Sequence, residues 1–224
     1  MWEPNLGAVP DEWRAVAPEL RGEAGVTMND LAGDVIDLLD HLGVSRAAVV
    51  GCSMGGYVLF EMLKSAPAYL SAVGLVSTRP GPDNEEGRKN RQKMIALVDA
   101  EGVEAVAAQM VPKLLGKTSI ESRPEARAAV HRIIEGNTTE GIDGGIRAIR
   151  DRPDSTDLLP GIGCPALVIA GDEDVLIPVA DVEAMQRGLP RSHFVVLSRS
   201  GHLSNLETPA DFSTALADFL RAHL

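Results

Sequence analysis

Cysteine is nearly absent: Cys52 and Cys164 are the only two in a chain of 224 residues. Two thiols this far apart in sequence do not make a disulfide framework or a CxxC metal site, and each reads as a small buried side chain. Basic residues are outnumbered, 21 Lys and Arg against 32 Asp and Glu, for a formal charge of −11. Nucleic acid and anionic membrane surfaces reward clustered Lys and Arg, so neither is expected as a partner. Long apolar runs are missing too. None approaches the roughly 18 to 20 residues of a membrane span. The opening stretch MWEPNLGAVPDEW has neither the basic nor the apolar region of an export signal. A cytoplasmic location is the resulting expectation, and no internal repeat or low-complexity tract is found.

What is present, 45% hydrophobic and 24% charged residues, suits a globular protein of one large domain or one domain with an insertion. Short β-branched runs alternate with longer segments of helical period, the pattern of a parallel sheet flanked by helices. RAVAP at 14–18 reads as a strand. Residues 27–42 read as a helix, with Thr27 and Asp30 spaced as a capping box, Leu31, Val35, Leu38, Leu39 and Leu42 on one face, and Gly43 ending it. A buried strand AAVVG at 47–51, a helix over about 55–65 and a strand SAVGLVS at 71–77 follow, which is doubly wound α/β architecture.

From Thr78 the texture changes. RPGPDNEEGRKNRQ is polar and rich in turn residues, and helical patterns then cover about 84–100, 103–115, 124–135 and 140–150. The sheet pattern resumes with ALVIAG at 166–171, a helix at about 179–187, HFVVL at 193–197, and a last helix opened by Thr208 as N-cap and Pro209 at N1. The expected organisation is a core of residues 1–78 and 159–224, with residues 79–158 an all-helical insertion.

Gly51-Cys52-Ser53-Met54-Gly55 sits where a strand gives way to a helix, the context that a G-x-S-x-G nucleophile elbow requires. The bare pattern is cheap in a chain with 22 glycines, so its placement carries the weight. Ser53 is expected at the apex of a turn so tight that Gly51 and Gly55 have no room for side chains, with its hydroxyl presented above the sheet. The plainer alternative is a glycine-rich turn for close helix–sheet packing, or an anion site at a helix N-terminus.

An alcohol needs a base, and the base needs an orienting carboxylate. Of the five histidines, His202 alone follows a strand, at the same carboxyl edge as Ser53. His41, His131, His193 and His223 read as structural or solvated. The acid candidates Asp172, Glu173 and Asp174 share the loop after ALVIAG. Asp174 is preferred because the spacing to Pro178 lets the chain turn back over the sheet, while Asp172 suits a turn or backbone amides.

GCSMGGYV, GDEDVLIP and SGHLSNLE, together with WRAVAPELRG at 13–22, resemble an α/β-hydrolase of the serine esterase and lactonase group, similar to 3-oxoadipate enol-lactonase. The resemblance covers nearly all of the chain. It implies an α/β-hydrolase fold, a mainly parallel doubly wound sheet with a helical cap, acting on a small-molecule ester or lactone through Ser53, His202 and Asp174. No cofactor and no metal are implied. Perhydrolases, C–C bond hydrolases and acyltransferases share such residues, whereas haloalkane dehalogenases and epoxide hydrolases need Asp in place of Ser53.

Members of that family normally carry about three more strands and a His-Gly loop before this point, so the chain is N-terminally shortened relative to the pattern. Of two expected oxyanion donors only the backbone N–H of Met54 is visible, and losing one donor typically costs about 10² to 10³ in turnover. A late start codon, a deliberate fragment and a naturally short homologue remain open explanations. A shortened sheet is expected to form a homodimer, aggregate or need a partner. The second functional reading is therefore a catalytically weak or inactive homologue acting as a binding or structural subunit.

Within the insertion, Met94, Ile95, Leu97, Val98, Met110, Val111, Leu114, Leu115, Ile133, Ile134, Ile142 and Ile146 either line an acyl pocket or, more plainly, form the cap's own core. Arg79, Arg88 and Arg91 either attract an anionic substrate or are simply solvated. Trp2, Trp13, Tyr57, Cys52 and Met54 read as packing.

Overall fold

The computed structural model describes residues 1–7, 9–10 and 13–224. In chain order the elements are α1 (Glu3–Leu6), α2 (Met28–His41), β1 (Ala47–Cys52), α3 (Met54–Ser65), β2 (Leu70–Val76), α4 (Glu85–Leu114), α5 (Lys117–Ser122), α6 (Pro124–Glu135), α7 (Thr139–Arg150), β3 (Ala166–Gly171), α8 (Val179–Arg187), β4 (Ser192–Leu197), α9 (Ser204–Glu207) and α10 (Pro209–His223). The strands form one parallel sheet in the order β1-β2-β3-β4. All four carboxyl ends therefore open on the same edge, where loops from distant parts of the sequence can meet.

Strand side chains alternate between two apolar layers, as a period of two requires. Val73, Leu75, Val168 and Ala170 face a core built with Leu31 of α2, Leu59 and Met62 of α3 and Met185 of α8. Ala72, Val76, Leu167 and Ile169 face a second core containing Phe212, Leu216 and Leu220 of α10. Helices thus cover both faces, which is why β2 and β3 tolerate nearly continuous apolar sequence. The start of α2 is fixed by a reciprocal capping box. The Thr27 hydroxyl accepts the Asp30 N–H at 3.2 Å, and the Asp30 carboxylate accepts the Thr27 N–H at 2.9 Å.

The expected strand at 14–18 does not form. Residues 14–23 have no regular structure, and residues 14–19 are exposed. A strand is stable only where a neighbour accepts and supplies its ladder hydrogen bonds, and β1 pairs with β2 alone among the described residues. Three small apolar residues between Arg14 and Pro18 do not substitute for that partner. β1, at this edge, is correspondingly half-buried over Ala47–Val50, whereas β3 is buried throughout.

Two expected helices at 84–100 and 103–115 run on as α4, broken at Gly102, whose φ of 78° and ψ of −169° only glycine adopts readily. The short helices α5 and α9 were not expected. Thr208 does precede α10, with Pro209 at N1, but its side chain does not cap the helix: the hydroxyl donates to the Ser204 carbonyl at 3.2 Å. Among the described residues no helix is long and apolar enough to cross a membrane.

The two stems joining α4–α7 to the sheet are tied by a buried charge cluster. Asp83 and Arg152, 1% and 2% exposed at their side chains, pair at 2.9 Å, and Arg91 and Arg79 reach the same carboxylate at 3.0 and 3.2 Å. Arg152 also donates to the carbonyls of Ile149 and Gly81 and lies 4.2 Å from the centre of the Tyr57 ring. Arg79 and Arg91 are thereby committed to Asp83, with Arg79 also 3.5 Å from Asp181, which leaves neither as a free lure for an anionic substrate. Burial alone would raise the Asp83 pKa, but hydrogen bonds and charge from Arg152 and then Arg91 hold it below the ordinary aspartate value. A depressed carboxylate pKa contributes stability above about pH 4 that is lost as the pH falls through the folded value. Asp83→Asn is expected to cost about 3 kcal/mol or more at pH 7, by leaving Arg152 a buried charge without its partner. Thermal unfolding of variant and parent should show that gap narrowing between pH 5 and pH 3.

Candidate active site

Ser53 follows the last residue of β1 and precedes the first of α3, with φ 51° and ψ −110°, a conformation that costs a non-glycine residue about 1 to 3 kcal/mol. The surroundings hold it there. Its N–H donates to the Val76 carbonyl at 2.9 Å, and its own carbonyl accepts from the Thr78 hydroxyl at 3.0 Å and the Gly56 N–H at 2.9 Å. A Cβ on Gly51 would collide with the carbonyl of Gly55, so the strand and the helix can approach only with glycine at 51. Ser53, Met54 and Gly55 are half-buried above a buried Gly51 and Cys52, which leaves the apex reachable from outside.

The expected steric need at Gly55 is not met. An added Cβ there finds nothing within 4 Å outside its own helix, because Gly55 contributes its carbonyl to the contact rather than its missing side chain. The second glycine the turn requires is Gly56, where a Cβ would lie 2.5 Å from Thr78 Oγ1 and 2.6 Å from its methyl carbon. Thr78 itself escaped notice in the sequence. Its position just after a strand at the carboxyl edge was the signal available.

On the neighbouring strands, Gly171 ends β3 and the following loop turns back over the sheet. The Asp174 carboxylate, with its side chain fully buried, accepts the N–H groups of Leu176 and Ile177 at 2.8 and 3.0 Å through Oδ1. Its Oδ2 lies 2.8 Å from Nδ1 of His202, a side chain only 3% exposed. Asp172 does what a carboxylate beside a strand end commonly does, accepting the Ser200 N–H at 3.2 Å. The His202 loop is also pressed onto the elbow: the Cys52 sulfur lies 3.9 Å from the His202 carbonyl oxygen. Burial, and then the charge of Asp174, push the Cys52 thiol up to about 12, so it stays protonated and inert.

The structure thus joins Asp174 to His202 by a hydrogen bond and brings the His202 loop against the residue preceding Ser53. The hydrogen bonds of the described residues include none from Ser53 Oγ to the imidazole, and such contacts are often long before substrate binds. The other histidines stand elsewhere. His41 ends α2, His131 lies 3.5 Å from Glu135, His193 is exposed on β4, and His223 packs on Phe219 at 4.9 Å. Among the described residues no three His, Cys, Asp or Glu side chains converge as a metal ion would require.

The insertion reaches the same edge. A Cβ on Gly145 of α7 would stand 3.9 Å from Met54 Sδ, and Gly116, just before α5, packs against Gly201. Of its apolar residues, Ile95, Val98, Val111, Leu115 and Ile146 are buried, as core positions are.

Comparison with known proteins places this geometry. The family model described as "Alpha/beta hydrolase family" matches residues 1–215. The 3-oxoadipate enol-lactonase 1 of Acinetobacter baylyi is 26% identical over 229 residues, covering 99% of this chain and 84% of that protein. Among solved structures, a thermophilic esterase from Thermogutta terrifontis superposes with a TM-score of 0.94 at 34% identity, covering 100% of this chain and 85% of the other. The enol-lactonase from Burkholderia xenovorans LB400 gives 0.89 at 26% identity, covering 98% and 85%.

The contrast between the elbow glycines can be measured. Gly51→Ala is expected to lower stability by about 1 to 3 kcal/mol through overpacking against the Gly55 carbonyl. Gly55→Ala, in open space at a helical position, should be neutral or stabilising by up to about 1 kcal/mol. Denaturant titration of the two variants beside the parent decides it.

Proposed function

Since the chain belongs to the alpha/beta hydrolase family, we propose that it is a serine hydrolase of carboxylic esters or lactones, with Ser53 as nucleophile, His202 as base and Asp174 as its orienting acid. The observation that carries this reading is the buried Asp174–His202 pair at 2.8 Å, set beside a serine held in a strained turn. The names of the esterase and the enol-lactonases among its relatives support the substrate class.

Ser53 Oγ attacks the carbonyl carbon as its proton passes to His202 Nε2, and the carbonyl π pair moves onto oxygen. The Met54 N–H, at the start of α3, is the donor for that oxyanion. Collapse expels the alcohol, which takes the proton from Nε2 and leaves an acyl-serine. Water then repeats the sequence, deprotonated by His202, and frees the acid and Ser53. Asp174 receives the Nδ1–H throughout, so the imidazole keeps the tautomer that can accept at Nε2, and the carboxylate stabilises the imidazolium that forms. Residues 79–158 act as the cap over this edge. The approach of α7 to Met54 and of Gly116 to Gly201 supports that role.

Ser53→Ala and His202→Ala are expected to lower p-nitrophenyl acetate hydrolysis about 10⁴-fold or more, with the fold retained by circular dichroism. A fluorophosphonate should add one label per chain, mapped to Ser53 by peptide mass. Little hydrolysis by the parent, a residual rate unchanged in Ser53→Ala and no label at that position would leave the fold serving as a binding or structural subunit instead.

A further inference from the structure

One buried carboxylate near the site has no part in the chemistry above. Glu207 closes α9, five residues after His202, and is only 3% exposed. Its Oε1 accepts the N–H of Gly201 at 2.9 Å, and its Oε2 accepts the N–H of Gly116 at 2.7 Å. The first of these amides immediately precedes the imidazole residue. The second belongs to the segment entering α5, in the helical insertion. A buried charge is tolerated only where donors surround it, so Glu207 fixes two backbone segments that lie 85 positions apart in sequence.

The surrounding geometry points the same way. Gly201 and Gly116 approach until a Cβ on Gly201 would overlap the Gly116 nitrogen, and the Leu203 N–H donates to the Leu114 carbonyl at 3.2 Å. Glu173, next to Asp174, accepts the Thr118 N–H at 2.7 Å and the Thr118 hydroxyl at 2.5 Å. Both loops that supply the acid and the base are therefore anchored, each through a residue next to or close behind the working one, to the same stretch 116–118.

We propose that Glu207 is a positioning residue, which holds the His202 loop and the insertion in one rigid frame so that the imidazole keeps its place only while the insertion keeps its own. The proposal rests on the serine hydrolase reading for its catalytic consequence, but its geometric content stands apart from it. A glutamine at 207 keeps the shape and one acceptor oxygen, yet turns an NH₂ group toward one of the two backbone donors.

The full-length Glu207→Gln variant is expected to lose about 10- to 100-fold in kcat for p-nitrophenyl acetate with KM within about twofold, since ester binding does not involve residue 207. Fluorophosphonate labelling of Ser53 should slow by a similar factor. Leu216→Ala, in the α10 core, provides a variant of lowered thermal stability whose kcat at 25 °C should stay within about twofold of the parent. The activity-independent readout is the low-field proton resonance of His202 Nδ1, which should broaden by solvent exchange in Glu207→Gln and not in Leu216→Ala. If the glutamine variant does not fold, Glu207→Asp, too short to span both amides, is expected to show the same split. A Glu207 variant with lowered thermal stability but parental kcat and an unchanged Nδ1 resonance would overturn the proposal. A parent chain that neither hydrolyses esters nor takes the label, while the resonance still broadens in the variant, would discard the hydrolase reading and keep the coupling.

Discussion

A fully buried carboxylate has to be met by donors, and the requirement of Asp174 organises the carboxyl edge of the sheet. Its Oδ1 takes two backbone amides of its own loop, which fixes the direction in which Oδ2 points. Oδ2 is left for a donor from another loop, and His202 Nδ1 fills that place at 2.8 Å. The imidazole is thereby held at Nδ1, which leaves Nε2 as its unengaged nitrogen. Burial, and then the charge of Asp174, keep the neighbouring Cys52 thiol protonated.

Around that pair the fold works as a set of close approaches. Gly51 against Gly55 and Gly201 against Gly116 bring backbone against backbone to within a distance no side chain would permit, and Gly56 makes the same room for the Thr78 side chain. Glycine loses more conformational freedom on folding than other residues, and the gain at these positions is a closely packed backbone with few ways to move. The Asp83–Arg152 cluster does for the stems of the insertion what Asp174 does for the edge. In both cases a buried charge selects one arrangement by penalising every other.

Much of this was legible in the sequence, and the failures are instructive. β1 through β4 were visible because short β-branched runs are bounded by turn residues, and α2 because Thr27 and Asp30 satisfy each other locally. The pairing of His202 with Asp174 was accessible from order and spacing alone, because parallel strands deliver their following loops to one edge. Residues 14–18 were misread because strand formation depends on a neighbour, and propensity does not reveal whether one is present. The steric need for glycine at 56 was not foreseen because the elbow spacing does not say which partner atom lies opposite. Arg79 and Arg91 looked available because nothing local announces that Asp83 will be buried between them. The anchoring contacts of Glu173 and Glu207 were not foreseen for the same reason, since Thr118 and Gly116 lie in a distant segment.

The central proposal is spatial: with substrate bound, the hydroxyl of Ser53 and Nε2 of His202 come within proton-relay distance above the sheet. A crystal structure of the chain with a phosphonate or boronate ester mimic bound tests it most directly. The account predicts a covalent bond from the mimic to Ser53 Oγ, with Nε2 of His202 within about 3.2 Å of that oxygen. A mimic bonded elsewhere, or an imidazole that stays out of reach of Ser53 with its Asp174 hydrogen bond intact, would contradict it.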